Sequence, residues 1–172
     1  MRRLSSLSSL LILAGAIAVA PAARATCTCD NTVIGTSGDD YLTGGSGVDC
    51  MYGGDGSDLI YGFESGDCLY GEAGPDGIYG STGDDELFAG SSGTYGDYVD
   101  GWEGADLIDG GDDADILAGY RGNDIIVGGD GDDQLLGEAD NDSLTGQGGT
   151  DYANGGGGTD FCDAETEVSC EI

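Results

Sequence analysis

Single aliphatic residues recur at one fixed spacing between residues 35 and 163, and each stands two residues after an aspartate. The unit reads G-G-x-G-x-D-x-U-x, with U aliphatic in most copies, and fourteen copies follow in tandem, the one beginning at Ala89 having twelve residues. Such a repeat predicts a solenoid, because no single unit can bury its apolar face alone. The eighth-position residues are Leu42, Met51, Ile60, Leu69, Ile78, Leu87, Val99, Ile108, Leu117, Ile126, Leu135, Leu144, Ala153 and Cys162.

Each unit divides into a turn and a strand. Glycine dominates the first six positions, since a turn that brings carbonyls inward needs positive φ and close approach. The last three positions predict a very short strand, whose eighth position faces inward while the seventh and ninth face outward. Two units make one 18-residue coil, so the pattern predicts an all-β fold of two parallel sheets around the aliphatic column. Seven coils would span roughly 34 Å.

The composition indicates that something besides the aliphatic column holds the turns. One apolar residue in nine, at about 25 cal/mol per Å² of buried surface, hardly offsets the ordering of a chain with 36 glycines. The 34 acidic residues give a formal net charge of −30. An acid content of this size is typical of disordered chains, but here the acids are periodic. This periodicity indicates that cations are structural components.

Calcium suits such turns because it takes six to eight oxygen ligands, both carboxylates and backbone carbonyls. Zinc, copper and iron are disfavoured, since the chain has no histidine and its cysteines are better explained as disulfides. One ion between successive turns at each edge gives about twelve ions. The predicted carboxylate ligands are the sixth-position residues Asp40, Asp49, Asp58, Asp67, Asp76, Asp85, Asp97, Asp106, Asp115, Asp124, Asp133, Asp142, Asp151 and Asp160. Carbonyl ligands are predicted in turns that include Gly44, Gly53, Gly71, Gly101, Gly110, Gly119 and Gly128.

Two regular units, Gly53 to Tyr61 (GGDGSDLIY) and Gly128 to Leu136 (GGDGDDQLL), resemble the RTX, or hemolysin-type, calcium-binding nonapeptide repeat. The resemblance covers about three quarters of the chain and implies a right-handed parallel β-roll. It also implies calcium bound by the sixth-position aspartates and by turn carbonyls. Irregular units, with Ser65, Asp113 or Asp140 at the fourth position, depart from the family pattern.

The N-terminal 25 residues differ in kind from the repeats. Two arginines precede an apolar stretch from Leu10 to Ala20, and a small-residue site ends at Ala25, which predicts a secretory signal peptide. A membrane anchor is the alternative, but the stretch is shorter than the roughly 20 residues that span a bilayer. The predicted organisation is a signal peptide at 1–25, an N-terminal cap at 26–34, the repeats at 35–163 and a disulfide-closed cap at 164–172. The mature chain is expected to be secreted, as an orphan β-roll without an effector domain.

Removal of the signal peptide would leave Arg121 as the only basic side chain, for a net charge of about −33. This charge disfavours nucleic acid and anionic membranes as partners. Six cysteines in an exported chain indicate disulfides. Cys50 and Cys68 hold the seventh position two units apart, so stacking predicts a Cys50–Cys68 bond, and Cys162–Cys170 would close the C-terminal segment. Cys27 and Cys29 then remain as a tight local pair or a clasp.

The outward positions carry aromatic side chains in five successive units. Tyr52, Tyr70 and Phe88 are expected to form one ladder, and Tyr61 and Tyr79 another. Neighbouring rings can stabilise a parallel sheet by stacking, or they can bind sugars or partner proteins. No catalytic site is expected, since adjacent acids follow from the repeat and no histidine base exists. The expected function is that of a secreted calcium-binding structural or adhesive element that can self-associate; the alternative is a calcium-dependent binding module for a polysaccharide or a protein.

Overall fold

The computed structural model describes residues 27–91 and 93–170 and shows an all-β parallel solenoid built from 18-residue coils. Each coil contributes one strand to each of two eight-stranded parallel sheets. The predicted signal peptide lies outside the described residues. Within the described part of the chain there is no helix, and hence none long and apolar enough to cross a membrane.

The strands alternate between the two sheets along the chain. The first sheet contains β1 (Asn31–Ile34), β3 (Asp49–Asp55), β5 (Cys68–Ala73), β7 (Glu86–Ser91), β9 (Leu107–Asp112), β11 (Ile125–Asp130), β13 (Ser143–Gly148) and β15 (Phe161–Asp163). The second sheet contains β2 (Tyr41–Thr43), β4 (Leu59–Glu64), β6 (Gly77–Thr82), β8 (Tyr98–Glu103), β10 (Ile116–Arg121), β12 (Gln134–Ala139), β14 (Tyr152–Asn154) and β16 (Thr166–Val168).

Most strands are six residues long, so the expectation of very short three-residue strands was wrong. Each six-residue strand runs through the last three positions of one unit and the first three of the next. In β4 and β6, Ile60 pairs with Ile78 and, beyond the first-position glycine, Phe63 pairs with Ser81. Parallel pairing uses backbone groups, so glycine-rich positions stay in the ladder with the next coil. The turn is therefore confined to positions four to six.

The eighth-position residues form one continuous core between the sheets, as the pattern predicts. Those from Met51 to Ala153 are fully buried, and Leu42 and Cys162 close the column at its two ends. Val33, from the segment predicted as a cap, packs against the same core. The two flanking segments supply β1 and β16, which is why the solenoid has eight coils rather than seven.

The cysteines of the first coils pair differently from the prediction. Cys50 and Cys68 are register neighbours in β3 and β5, yet the structure joins Cys27 to Cys68 and Cys29 to Cys50, with Cα–Cα distances of 6.3 and 5.6 Å. The predicted Cys50–Cys68 and Cys27–Cys29 bonds are thus wrong. Residues two apart in an extended segment point to the same side, so this segment meets one cysteine of each strand.

The C-terminal segment contains the disulfide expected there, and its Cα–Cα distance is 5.8 Å between Cys162 and Cys170. Cys170 and Ala164 pack against the last residues of the core.

On the outer face of the first sheet, Tyr52 stacks on Tyr70 at 4.9 Å and Tyr70 on Phe88 at 5.0 Å between ring centroids. On the second sheet, Tyr61 stacks on Tyr79 at 4.7 Å. Both expected ladders are confirmed.

Candidate calcium centres

The sixth-position aspartates form two columns, one along each edge of the solenoid. All of them except Asp40 are buried, at no more than 4% exposure. From Asp58 onward each carboxylate reaches back to the preceding coil: Asp58 Oδ1 accepts the backbone N–H of Asp40, and Asp76 Oδ1 that of Asp58, both at 2.8 Å. Twelve such bonds of 2.7–3.0 Å link the coils.

The second oxygen of these carboxylates is buried without a hydrogen-bond partner. This holds for Oδ2 of Asp58, Asp67, Asp76, Asp85, Asp97, Asp106, Asp115, Asp124, Asp133, Asp142, Asp151 and Asp160. A buried polar atom without a partner costs about 1–3 kcal/mol, and more when the group is charged. A single such atom would be a local defect, whereas one in each of twelve successive units indicates a repeated site for a positive ligand.

The first coil shows what a satisfied carboxylate looks like in this fold. Asp49 Oδ2 accepts the N–H of Gly45 at 2.6 Å. Asp40 Oδ2 accepts the N–H of Thr36 at 2.5 Å and its hydroxyl at 2.8 Å. These two aspartates therefore need a cation least, although they fit the sequence pattern as well as the others do.

Backbone carbonyls border the same spaces as the unpartnered oxygens. A Cβ built on Gly110 would stand 2.5 Å from both Asp115 Oδ2 and the carbonyl oxygen of Gly128. A carboxylate of one coil and a first-position carbonyl of the next thus flank a gap that glycine leaves open. The carbonyls of Gly53, Gly71, Gly101 and Gly128 all hold this place beside an aspartate of the preceding coil. The contribution of the Gly44, Gly110 and Gly119 carbonyls stays a prediction.

Fourth-position glycines of regular turns lie closely against a carbonyl oxygen of the preceding coil and near a column carboxylate. A Cβ on Gly104, where φ is +147°, would collide with the carbonyl oxygen of Gly83 and stand 3.1 Å from Asp106 Oδ1. Gly158 lies in the same way between the carbonyl oxygen of Asp140 and Asp160 Oδ1. Glycine is required at Gly104 because both the positive φ and the approach of a neighbouring carbonyl exclude a side chain.

Burial also raises the pKa values of the aspartate columns. The pKa of Asp106 rises to about 8 because burial disfavours its charge, although the N–H of Asp85 opposes the shift. In Asp76, Asp85, Asp115 and Asp142 the pKa rises to about 7 for the same reason. Neighbouring carboxylates add to the rise. Without a cation, the carboxylates of these columns bind protons and lose their negative charge near neutral pH.

Three fourth-position residues that are not glycine also have a positive φ, although a smaller one than Gly104. Ser65, Asp113 and Asp140 have φ values of 85°, 84° and 80°. A left-handed backbone costs an L-residue about 1–2 kcal/mol. The stack of coils therefore imposes a positive φ even where the sequence departs from the repeat.

Fifth-position side chains add a contact that the sequence reasoning did not identify. Asp39 Oδ1 accepts the N–H of Ser57 at 3.0 Å, Asp84 Oδ1 that of Ala105 at 2.9 Å, and Asp132 Oδ1 that of Thr150 at 2.8 Å. Asn123 and Asn141 are related in the same way. Asp and Asn commonly bond to nearby backbone groups, so their recurrence at this position was the available signal. The donor, however, lies in the next coil.

The donor set fits calcium and disfavours softer metals. The gaps are lined by carboxylate and carbonyl oxygens from successive coils, which are the ligands that calcium takes. The one group of cysteine and carboxylate side chains with metal-like spacing among the described residues is Cys27, Cys68 and Glu86, and its two cysteines are joined as a disulfide.

Comparison with known protein families agrees with this geometry. A model of four copies of the RTX calcium-binding nonapeptide repeat matches the chain five times, at residues 30–60, 61–92, 91–126, 109–144 and 127–162. No curated protein matches the chain. The matched segments adjoin or overlap, so that together they span residues 30–162. The chain belongs to the family of RTX calcium-binding nonapeptide repeat proteins.

Proposed function

We propose that this protein is exported, folds outside the cell when calcium fills its turns, and serves there as a structural or adhesive element without catalytic activity. The observation that carries the proposal is the unpartnered Oδ2 in twelve of the fourteen units. An interior built this way is incomplete until a cation arrives. Extracellular calcium modules have dissociation constants of about 10⁻⁴ to 10⁻³ M, so the millimolar calcium outside cells suffices to fill them.

The sixth-position aspartates are the proposed carboxylate ligands, with first- and fourth-position carbonyls completing each centre. About twelve ions would add a charge of about +24 to a mature chain of about −33. Calcium would thereby remove most of the self-repulsion that opposes a compact state. The predicted signal peptide supports export, because the cytosol of most cells holds too little free calcium to fill weak sites.

Two measurements test export and the structural role. Mass spectrometry of the protein in the culture medium should find an N-terminus at Thr26, and retention of residues 1–25 would contradict export through a cleaved signal peptide. Light scattering of the purified chain should show calcium-dependent self-association. A protein that stays monomeric in millimolar calcium would contradict the structural role and favour a binding module.

The second candidate function is calcium-dependent binding of an extracellular polysaccharide. One observation favours it, namely the number of aromatic side chains on the outer face of the second sheet. Phe63, Trp102 and Tyr120 there are 40–53% exposed, more than packing within the sheet requires.

A further inference from the structure

One aspartate column continues by register into the C-terminal segment, beyond the end of the repeats. Strand β16 pairs with β14, and Thr166 lies opposite Tyr152. Glu165 therefore precedes β16 as Asp151 precedes β14, which is the sixth position of a regular unit. The N–H of Thr166 donates to the Asp151 carbonyl at 3.1 Å, just as the N–H of Tyr152 donates to the Asp133 carbonyl at 2.8 Å. A glutamate thus stands where a fifteenth aspartate would stand.

Glu165 makes the hydrogen bond that links successive coils along the column. Its Oε2 accepts the backbone N–H of Asp151 at 2.9 Å. One coil earlier, Asp151 Oδ1 accepts the N–H of Asp133 at 3.0 Å. The first of these bonds spans 14 residues and the second spans 18, so the last turn is shorter than the others. Glu165 therefore continues the ladder although its turn lacks the glycine-rich motif.

The Asp151 carboxylate beside Glu165 has no positive partner. Asp151 is 2% exposed, and its Oδ2 has no hydrogen-bond partner. Burial raises the pKa of Asp151, and the negative charge of Glu165 raises it further. The one ion pair among the described residues lies elsewhere, between Arg121 and Glu103. Two neighbouring carboxylates repel each other unless they share a proton or a cation.

The short turn before β16 also supplies a carbonyl. Asp163 is the last paired residue of β15 in its register with β13, so Ala164, which follows it, takes the first position of the last turn. In a regular turn, the first-position carbonyl flanks a gap together with Oδ2 of the preceding coil, as Gly128 does with Asp115. By this register, the Ala164 carbonyl is the counterpart of the Gly128 carbonyl.

The other end of the solenoid has a donor at the equivalent place. Asn31 lies opposite Asp49 in the register of β1 and β3, and its Nδ2 donates to Asp49 Oδ1 at 2.9 Å. Asp49 Oδ2 accepts the N–H of Gly45, so both oxygens of this carboxylate have partners. An asparagine amide supplies donors without charge, whereas an ionised glutamate supplies only acceptors. The N-terminal end is therefore complete without a cation, and the C-terminal end is not.

We propose that Glu165 is a calcium ligand outside the repeat, which holds a terminal ion against Asp151 with the Ala164 carbonyl as a further ligand. Glu165 is exposed, so water can complete the six to eight oxygens that calcium takes. The ion would tie β16 to the last regular coil. The proposal rests on the calcium-dependent folding proposed above and adds a ligand that the nonapeptide pattern does not encode.

Hydrogen–deuterium exchange with mass spectrometry measures calcium-dependent protection separately for each part of the solenoid. The oxidised mature chain is titrated with calcium at pH 8, and its disulfides are reduced after quenching. In the wild type, peptides from β8 to β10 and from β14 to β16 should both gain protection. Absence of a response in β8 to β10 would mean that calcium folding itself fails. A response there, without the variant effects described next, would mean that only the role of Glu165 is wrong.

Glu165→Gln keeps an oxygen for the Asp151 N–H but removes the charge. It should raise the calcium concentration that half-protects β14 to β16 by about tenfold, because ligand charge sets calcium affinity. The matched control is Glu167→Gln, the same change two residues further on, and it should keep the wild-type midpoint. Glu167 Oε1 meets only the Ala164 N–H, at 3.4 Å.

Glu165→Ala separates a calcium ligand from a hydrogen-bond cap, because alanine removes both the charge and the acceptor. A ligand role predicts that Glu165→Gln and Glu165→Ala both raise the midpoint. A wild-type midpoint in Glu165→Gln, with only Glu165→Ala impaired, would mean that Glu165 merely caps the Asp151 N–H and would overturn the proposal. An equal shift in Glu165→Gln and Glu167→Gln would also overturn it, because the effect would then be one of overall charge.

Discussion

The aliphatic column and the aspartate columns run side by side through this solenoid, but only the first is complete within the chain. Leu117 and Ile108 are fully enclosed by their neighbours above and below. Asp115 and Asp106 are enclosed almost as well, yet one oxygen of each has no partner. Apolar side chains need only contact, whereas buried charges need partners. The difference teaches that the chain itself supplies every partner that the core needs, but not every partner that the buried carboxylates need.

Acidification of the calcium-free chain should give the largest effect and would separate the two kinds of column. The folded pKa values of about 6–8 in the aspartate columns exceed the ordinary value of 3.8. The folded chain therefore binds more protons, and its free energy of unfolding falls as the pH rises from about 4 to about 8. Calcium-free protein should gain β-structure in circular dichroism as the pH falls from 8 to 5.

In the presence of calcium, the free energy of unfolding should instead rise with pH, because protons compete with calcium for the same carboxylates. At pH 7, calcium binding should release protons that a pH indicator detects. A calcium-free spectrum that does not change between pH 8 and pH 5 would contradict the assignment of these carboxylates as the unstable part of the fold.

Leu117→Ala tests the complete column. Removal of a fully buried leucine should destabilise the calcium-loaded protein by about 2–5 kcal/mol in urea denaturation. The neighbouring Ile116 faces outward and is 43% exposed, so Ile116→Ala is the matched control and should cost much less. Equal losses in the two variants would mean that the column is not the core.

Asp115→Asn tests the aspartate columns. Its effect on the free energy of unfolding should have opposite signs in the calcium-free and the calcium-loaded protein. Loss of the charge removes an unpartnered buried carboxylate from the calcium-free fold and stabilises it. The same change weakens a calcium ligand and should destabilise the loaded protein by about 1.5–3 kcal/mol in urea denaturation, the range for hydrogen bonds to charged groups. Asp40→Asn, where Thr36 already satisfies Oδ2, should show both effects more weakly. Destabilisation of the calcium-free fold by Asp115→Asn would count against a cation site at this carboxylate.

Gly104→Ala should have a smaller effect confined to one turn. The new Cβ meets the Gly83 carbonyl at a positive φ, and the conformation alone costs about 1–2 kcal/mol. Gly38 has no atom within 4 Å of its Cβ position, so Gly38→Ala is the control and should leave the calcium midpoint unchanged. Isothermal titration calorimetry should also show fewer ions bound by Gly104→Ala; an unchanged stoichiometry would place calcium elsewhere in the turn.

The sequence predicted much of this architecture because the repeat encodes it locally. The direction of each eighth-position side chain follows from alternation along a strand, and Ile60 and Ile78 lie where that rule places them. The aromatic ladders follow from the same rule with a stacking distance of two units. The proposed ligand residue types also follow from the sequence, since calcium is the common cation whose oxygen ligands match periodic aspartates in glycine-rich turns.

Features that depend on contacts between distant parts of the chain could not be predicted. The strand length depends on pairing of glycine positions with the next coil. The disulfides depend on the path of residues 27–29 across β3 and β5, which lies outside the repeat. Glu165 lies outside the repeat, and only the pairing of β16 with β14 shows that it stands at a sixth position. In each case the decisive contact is supplied by another coil or by the terminal segment.

A calcium titration of the oxidised mature chain, followed by far-ultraviolet circular dichroism with magnesium as the control ion, tests the central claim most directly. We predict a transition from disorder to β-structure in millimolar calcium, and little response to magnesium, which requires a stricter octahedral site. Full β-structure in a chelator at pH 8, unchanged by calcium, would contradict the claim, because the aspartate columns would then be stable without the cation that their geometry demands.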